Sequence, residues 1–347
     1  MFLTTSGWQA ISYNYENIAA KTLLINTARA FIIDVAGFAI IYIKNNREEI
    51  IMIKLIVSDM DGTLFNSEQK ISPLNLAAIR EANKQGVRFM IATGRSMDTI
   101  GPTADQYDLK CGFILLNGAE VRDESRSIIS TINIDYNRIQ ELADKLDRQG
   151  YIPEYMTDQG AQICGNREKM ELNMGYRMLC LDRSHTLTLE EAIEQGKSSV
   201  FMDALTRNDT IEDMLNKNLE IRKIIVFNPD AERNTKNRLE LARAFPELSI
   251  LSSYPENIEI NAKYAQKGYG LQNAIEKLEI KKEEVAVFGD GLNDLSMFEL
   301  FPNSFAPANA ESEIKARAKE VIPSNNDDGV GKKIFELLYK NREEELS

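Results

Sequence analysis

The sequence predicts a doubly wound parallel α/β sheet carrying an inserted α+β domain, and three observations support this. Short, continuously apolar runs alternate with amphipathic stretches over residues 53–116, as buried parallel strands alternate with crossover helices. The same alternation returns over residues 267–318, as if one sheet were interrupted and resumed. The intervening residues, about 135–255, have a different texture, and a chain of 347 residues is longer than one core usually organises.

The elements follow in order. Residues 53–58 form an apolar strand, 73–85 an amphipathic helix, 87–92 a second strand, 96–107 a helix and 113–116 a third strand, a βαβαβ series. In the middle, 136–149 and 233–245 have helical periodicity, while 161–164, 198–203 and 221–227 have strand character. Residues 267–278 then form a helix, 285–288 a strand, and 294–300 and 311–318 two further helices. The domain organisation expected is a core made of 52–134 and 256–340 and an insert of 135–255. No repeat, low-complexity tract or linker marks the edges. The acidic end, Glu343 to Glu345, is expected to be frayed and solvated.

The first 51 residues stand apart. Their apolar run, 27–43, suggests a membrane segment or a signal sequence, but Asp34 interrupts it and it falls short of the roughly 20 residues that cross a bilayer. No basic region precedes it and no small-residue cleavage site follows. Met52 opens the first strand of the core, so residues 1–51 are expected to be an extension or an upstream reading artefact.

The formal charge of -12 is spread along the chain rather than gathered in a tail, which argues against a nucleic-acid partner or an anionic membrane surface. It fits an enzyme that binds small anions through a metal ion, since a bound cation reverses the local field. Cys111, Cys164 and Cys180 have no paired spacing, so neither a zinc cluster nor a disulfide framework is expected, and a reducing cytoplasm is the expected compartment.

Four strand ends carry chemistry. Asp59-Met60-Asp61-Gly62-Thr63 follows the first strand, where ligand sites form in open parallel sheets. Two carboxylates about 4 Å apart repel by roughly 4 kcal/mol at an effective dielectric near 20, which a divalent cation relieves. A capped polar turn is the bland alternative. Ala92-Thr93-Gly94-Arg95 sets a hydroxyl, a flexible glycine and a guanidinium at the second strand end, able to hold a phosphate oxygen, although Thr-Gly is also ordinary helix-start chemistry. Asn117-Gly118 offers backbone donors or simply a turn. Lys267-Gly268 places a cation at a helix start, where the dipole disfavours it unless an anion is present; a solvated lysine is the alternative. Gly289-Asp290-Gly291-Leu292-Asn293-Asp294 follows the strand 285–288 and supplies hard oxygen donors of the kind magnesium prefers.

In this order, Asp-x-Asp-Gly-Thr, Thr-Gly-Arg, Lys-Gly and Gly-Asp-Gly-x-Asn-Asp, the motifs resemble the haloacid dehalogenase (HAD) superfamily, in particular the Cof-type phosphatases of subfamily IIB with a C2 cap. The resemblance covers about residues 52–340. It implies a HAD-like Rossmannoid core with the insert as cap, and it extends to Ala308-Asn309-Ala310 and to Asn325-Asn326-Asp327-Asp328-Gly329-Val330. Ala306-Pro307-Ala308 departs from it, because the family usually has Met-Gly before Asn-Ala.

The resemblance implies a phosphomonoesterase that forms an aspartyl-phosphate on Asp59, with Asp61 as general acid and base. It implies Mg2+ held by Asp59, Asp61 through its backbone carbonyl, and Asp290, with Asn293 and Asp294 supporting. Thr93 and Lys267 would hold phosphate oxygens, joined by Gly94, Arg95, Asn117, Gly118 and Asn293. The substrate expected is a small phosphorylated metabolite such as a sugar phosphate, bound by a monomer or homodimer. Two alternatives remain: a phosphomutase of the same fold, or a non-catalytic regulator that binds phosphometabolites. His185 is expected in an exposed loop, Trp8 carries no functional signal, and Met170, Met174 and Met178 are expected to form a helical core stripe.

Overall fold

The computed structural model describes residues 8–14, 30–35 and 38–44 as backbone, and residues 52–182 and 184–345, the last three as backbone. The chain divides into two compact units, Met1–Ile51 and Met52–Ser347. In the first, β1 (Trp8–Asn14), β2 (Ala30–Val35) and β3 (Phe38–Lys44) form an antiparallel sheet of order β1-β3-β2. The apolar run is thus divided between two paired strands, and among the described residues no helix is long and apolar enough to cross a membrane. The rest of residues 1–51 lies outside the described residues.

The second unit begins with the alternation read from the sequence: β4 (Leu55–Ser58), α1 (Pro73–Lys84), β5 (Arg88–Ala92), α2 (Met97–Gln106) and β6 (Gly112–Leu115), followed by β7 (Glu120–Arg122) and β8 (Ile128–Thr131). Next come α3 (Tyr136–Arg148), β9 (Glu154–Thr157), β10 (Gly160–Cys164), α4 (Arg167–Leu181), α5 (Leu189–Lys197), α6 (Val200–Asp203), β11 (Leu205–Asn208), α7 (Ile211–Leu215), β12 (Ile221–Phe227), α8 (Ala231–Ala244), β13 (Leu248–Leu251) and β14 (Asn257–Ala262). The chain closes with α9 (Lys267–Leu278), β15 (Val285–Phe288), α10 (Leu295–Leu300), β16 (Asn303–Pro307), α11 (Ser312–Arg317), β17 (Glu320–Ile322) and α12 (Gly329–Glu345).

Two sheets organise this unit. The larger has the order β17-β16-β15-β4-β5-β6-β7-β8; it is parallel from β17 to β6, and β7 and β8 add an antiparallel edge. Its strands are buried on both faces because alternate side chains enter different cores: Ile56 packs with Phe89 and Ile91, while Leu55 and Val57 pack with Leu271 and Val285. The smaller sheet has the order β11-β10-β9-β12-β14-β13, and because β14 pairs with β12 and β13 the inserted sheet runs on to Ala262, past the residue 255 expected from the sequence. One face of it buries Ile224, Val226, Ile258 and Ile260 under Ile139, Leu142 and Leu146 of α3 and Leu241 of α8.

Several expectations are corrected. Residues 198–203, expected as a strand, are a turn leading into α6, because the Ser199 hydroxyl accepts the Met202 N–H at 3.2 Å and caps a helix; the strand is β11, just beyond. Glu343 to Glu345, expected to fray, end α12. Met170 and Met174 are buried in a small core of the insert, but Met178 is only half-buried. His185, as expected, lies exposed in the segment between α4 and α5.

Candidate active site

The strand register assembles the site. Ser58 pairs with Ile91 on one side and Phe288 on the other, and Ala92 pairs with Ile114. The residues that follow, Asp59, Thr93, Asn117 and Asp290, therefore leave neighbouring strands at the same sheet edge. Asp59 N–H still extends the ladder, donating to the Phe288 carbonyl at 2.9 Å, before the chain turns. Gly62 makes that turn with φ 85°, and a Cβ there would lie 2.3 Å from Asp290 Oδ2, so a side chain is excluded twice over. Thr63 Oγ1 donates to Asp290 Oδ1 at 2.7 Å and fastens the first loop to the fourth.

Lys267 opens α9 but turns inward, fully buried. Its Nζ donates at 2.6 Å to Asp59 Oδ1 and at 2.6 Å to Asp294 Oδ1, which supplies the anions its place at the helix start requires. The other oxygen of Asp294 accepts the Asp290 and Gly291 N–H groups at 2.9 and 3.1 Å, holding the loop that presents Asp290. Carboxylate oxygens of Asp59, Asp290 and Asp294 all lie within 4.8 Å of one another.

Three carboxylates against one ammonium leave a formal excess of two negative charges. Burial raises the Asp59 carboxyl well above its ordinary value; Lys267 opposes this, and Asp294, Asp290 and Asp61 add to it. Burial and the neighbouring Asp294 push Asp290 up to about 6. Burial alone would lower Lys267, but Asp294 and Asp59 outweigh it and hold the ammonium charged. The hard oxygen donors and their uncompensated charge fit a divalent cation. Asp59 and Asp290 could hold it, with Asp294 tied back to Lys267 and to the loop. Asn293 lies half-buried in the turn beside Asp294.

Two residues differ from the sequence expectation. Arg95 forks the Asp61 carboxylate through Nε and Nη2, at 3.0 and 2.6 Å, instead of standing free for a phosphate. The Asn117 side chain turns to the insert, donating at 2.6 Å to Glu259, while its N–H donates to the Thr93 carbonyl. Thr93 is buried at the loop, its Oγ1 accepting the Arg95 N–H. Gly118 packs against the backbone of Gln266 and Lys267, where a Cβ would stand 2.3 Å from the Gln266 carbonyl oxygen, and so sets the start of α9.

The second face of the smaller sheet supplies residues the sequence reading passed over. Along β14, Asn257, Glu259 and Asn261 alternate with Ile258 and Ile260, yet all three polar residues are buried. Lys223 of β12 donates to Glu259 and to the Gly94 carbonyl; Asn261 donates to the Leu116 carbonyl; Arg222 pairs with Glu120 of β7. The signals were the strict alternation over 257–261 and a cationic pair inside the apolar run of β12. Behind the first loop, the Asn309 side-chain amide donates to the Gly62 carbonyl at 2.8 Å and the Asn325 amide to the Phe65 carbonyl at 2.8 Å, while the Asn325 backbone N–H donates to Asn309 Oδ1 at 3.0 Å.

The family model for haloacid dehalogenase-like hydrolases matches residues 56–334. The chain belongs to that family. Among relatives of the HAD protein, a phosphatase of Bacillus subtilis, YwpJ, is 28% identical over 82% of this chain and 100% of its own. A second B. subtilis protein, 5-amino-6-(5-phospho-D-ribitylamino)uracil phosphatase YcsE, is 30% identical over 83% of this chain and 97% of its own. A solved haloacid dehalogenase-like hydrolase from B. subtilis superposes with TM-score 0.68 at 25% identity, covering 82% of this chain and 99% of its own. A HAD subclass IIB sugar phosphatase superposes with TM-score 0.63 at 23% identity, covering 82% and 99%. This HAD chain is a phosphatase of the Cof type.

Proposed function

We propose that the chain is a magnesium-dependent phosphomonoesterase that hydrolyses small phosphorylated metabolites, sugar or polyol phosphates among them, through an aspartyl-phosphate on Asp59. The observation that carries this is the contact of Lys267 with Asp59 at 2.6 Å inside a group of three converging carboxylates. A pure binder of phosphometabolites needs no nucleophile so placed.

In the first half-reaction an Asp59 carboxylate oxygen bonds to phosphorus while the bond from phosphorus to the ester oxygen breaks, and Asp61 gives its proton to the departing alcohol. In the second, water attacks phosphorus as the bond to Asp59 breaks, and Asp61 takes the water proton, so inorganic phosphate leaves and both side chains are restored. Lys267 orients Asp59 and holds a phosphate oxygen, and the Thr93 hydroxyl with the loop N–H groups holds others. Mg2+, held by Asp59, Asp290 and the Asp61 carbonyl with Asn293 and Asp294 supporting, would neutralise charge on the transferring phosphoryl group when bound.

The substrate class is supported by relatives whose names specify a phosphorylated ribityl compound, YcsE and YwtE of B. subtilis. A cytoplasmic location accords with that class of substrate. The test is phosphate release from a panel of phosphorylated metabolites, with and without magnesium, for the native protein and Asp59→Asn. Turnover that survives in Asp59→Asn would overturn the mechanism; a need for a bisphosphate activator with little free phosphate would favour a phosphomutase.

A further inference from the structure

Side chains of β12 and β14 in the insert hydrogen-bond to the strand-end loops of the core. The pairing of β12 with β9 slips at Arg222, between Ile221 and Lys223. Such an irregularity re-aims side chains, and here two consecutive cations both reach the core, Arg222 to Glu120 and Lys223 to the Gly94 carbonyl at 2.9 Å. Lys223 also meets Glu259 Oε2 at 3.0 Å, and Glu259 accepts from Asn117 Nδ2 at 2.6 Å and from the Ser253 hydroxyl at 2.9 Å. Lys223, Glu259 and Asn117 are all buried.

Two hydrogen-bonding capacities in this cluster are unspent. An ammonium has three N–H donors, and Lys223 uses two of them among the described residues. Asn117 Oδ1 is buried with no partner. Its orientation is fixed, because the opposite face of the amide must present its NH2 to Glu259 and to Asn261 Oδ1. Both atoms converge on the bare face of Gly94: a Cβ there would lie 2.9 Å from Asn117 Oδ1, 3.3 Å from Lys223 Nζ and 3.5 Å from Glu259 Oε2. Buried groups of this kind are normally paired, so an unpaired donor beside an unpaired acceptor calls for a partner.

We propose that Lys223 and Asn117 are specificity-determining residues that read a hydroxyl of the leaving group, which accepts from the Lys223 ammonium and donates to Asn117 Oδ1. A hydroxyl is the small group that does both at once. The chemistry selected is therefore a phosphate ester of a polyhydroxylated carbon chain. The rest of such a leaving group has room next door, in a cleft of about 430 Å3 lined by Leu116, Glu120, Met156, Arg177, Phe201 and Arg222, two of which adjoin Asn117 and Lys223 in sequence. This assignment rests on Asp59 as the nucleophile, one strand away from Gly94.

The test compares D-ribitol 5-phosphate with n-pentyl phosphate, which has the same carbon count and no hydroxyls. In the native protein kcat/KM should favour the ribitol ester by at least about tenfold, and Lys223→Met and Asn117→Leu should each collapse that ratio towards one. A loss of equal factor on both esters, leaving the ratio as it was, would mark the cluster as structural and overturn the proposal. Should either variant fail to fold, the native ratio decides alone, and a value near one overturns the proposal too. Asp59→Asn separates the two claims: if it abolishes hydrolysis of n-pentyl phosphate while the native ratio is near one, the mechanism stands and the hydroxyl site falls. If the native protein hydrolyses neither ester, both fall.

Discussion

The Arg95 guanidinium grips the Asp61 carboxylate with two hydrogen bonds, 3.0 Å from Nε and 2.6 Å from Nη2. The pair is half-buried, and Arg95 also lies 5.8 Å over the Phe65 ring. A planar fork of this kind fixes both the position and the plane of a carboxylate. In the proposed mechanism Arg95 therefore positions the general acid. Arg95→Met is expected to lower kcat by about 10- to 100-fold with little change in KM, since small misplacements of a reacting group carry penalties of that order. A rise in KM at constant kcat would instead return Arg95 to phosphate binding.

Among the described residues, Lys267 is the one cation paired with Asp59 and Asp294. Lys267→Met leaves two buried carboxylates without it, and breaking a buried pair in this way destabilises by about 3–5 kcal/mol. Urea unfolding should show a lower midpoint, and added magnesium should recover part of the loss by taking over the neutralisation. A midpoint unchanged from the native protein would contradict the charge balance described for the site.

Removal of metal by a chelator should silence phosphate release, with recovery on adding magnesium. Binding also stabilises the folded state by mass action, about 2.7 kcal/mol when the free ion is at 100 times its Kd. The melting temperature should accordingly rise with magnesium in the native protein and rise much less in Asp290→Asn. Equal shifts in the two proteins would remove Asp290 from the metal site.

Asn325 donates to the Phe65 carbonyl, and its own N–H reaches Asn309, which in turn holds the Gly62 carbonyl. Asn325→Ala should cost about 1–3 kcal/mol, the usual penalty for leaving a buried carbonyl without its donor. Chemical denaturation would measure it, and activity should fall with the Asp59 loop that the carbonyl belongs to.

Burial pushes the Cys111 thiol up to about 12, against an ordinary value of 9.0. The fold therefore keeps a proton that the unfolded chain releases above pH 9. The stability this contributes is fully present below pH 9 and is lost as pH rises towards 12, at about 1.4 kcal/mol per pH unit for one thiol. Melting temperatures from pH 8.5 to 10.5 should fall less steeply in Cys111→Ala than in the native protein; parallel curves would contradict the shift.

The sequence alone determined the strand-end chemistry. Asp59, Thr93 and Asp290 were legible because each sits in a short motif beside an apolar run, and in an open parallel sheet every such run ends at the same edge, whatever the residues between; Lys267 was legible as a lysine at a helix start, where only an anion resolves the conflict with the dipole. The parallel register of β4 with β15 then brings residues more than two hundred positions apart, such as Thr63 and Asp290, within 2.7 Å. The strand expected at 198–203 failed because a serine cap, a local hydrogen bond, outweighed apolar composition.

Only the tertiary structure decided which way the polar groups turn. Arg95 could have met a phosphate or a carboxylate, and the distance to Asp61 chose. The alternation of Asn257, Glu259 and Asn261 with Ile258 and Ile260 marks two faces of a strand without saying what covers either. The three polar residues are buried here because the insert lays that face on the loops of the core, where Lys223 and Asn117 meet over Gly94. Local chemistry follows from neighbours in the chain, whereas the partner of a polar face depends on how two sheets pack.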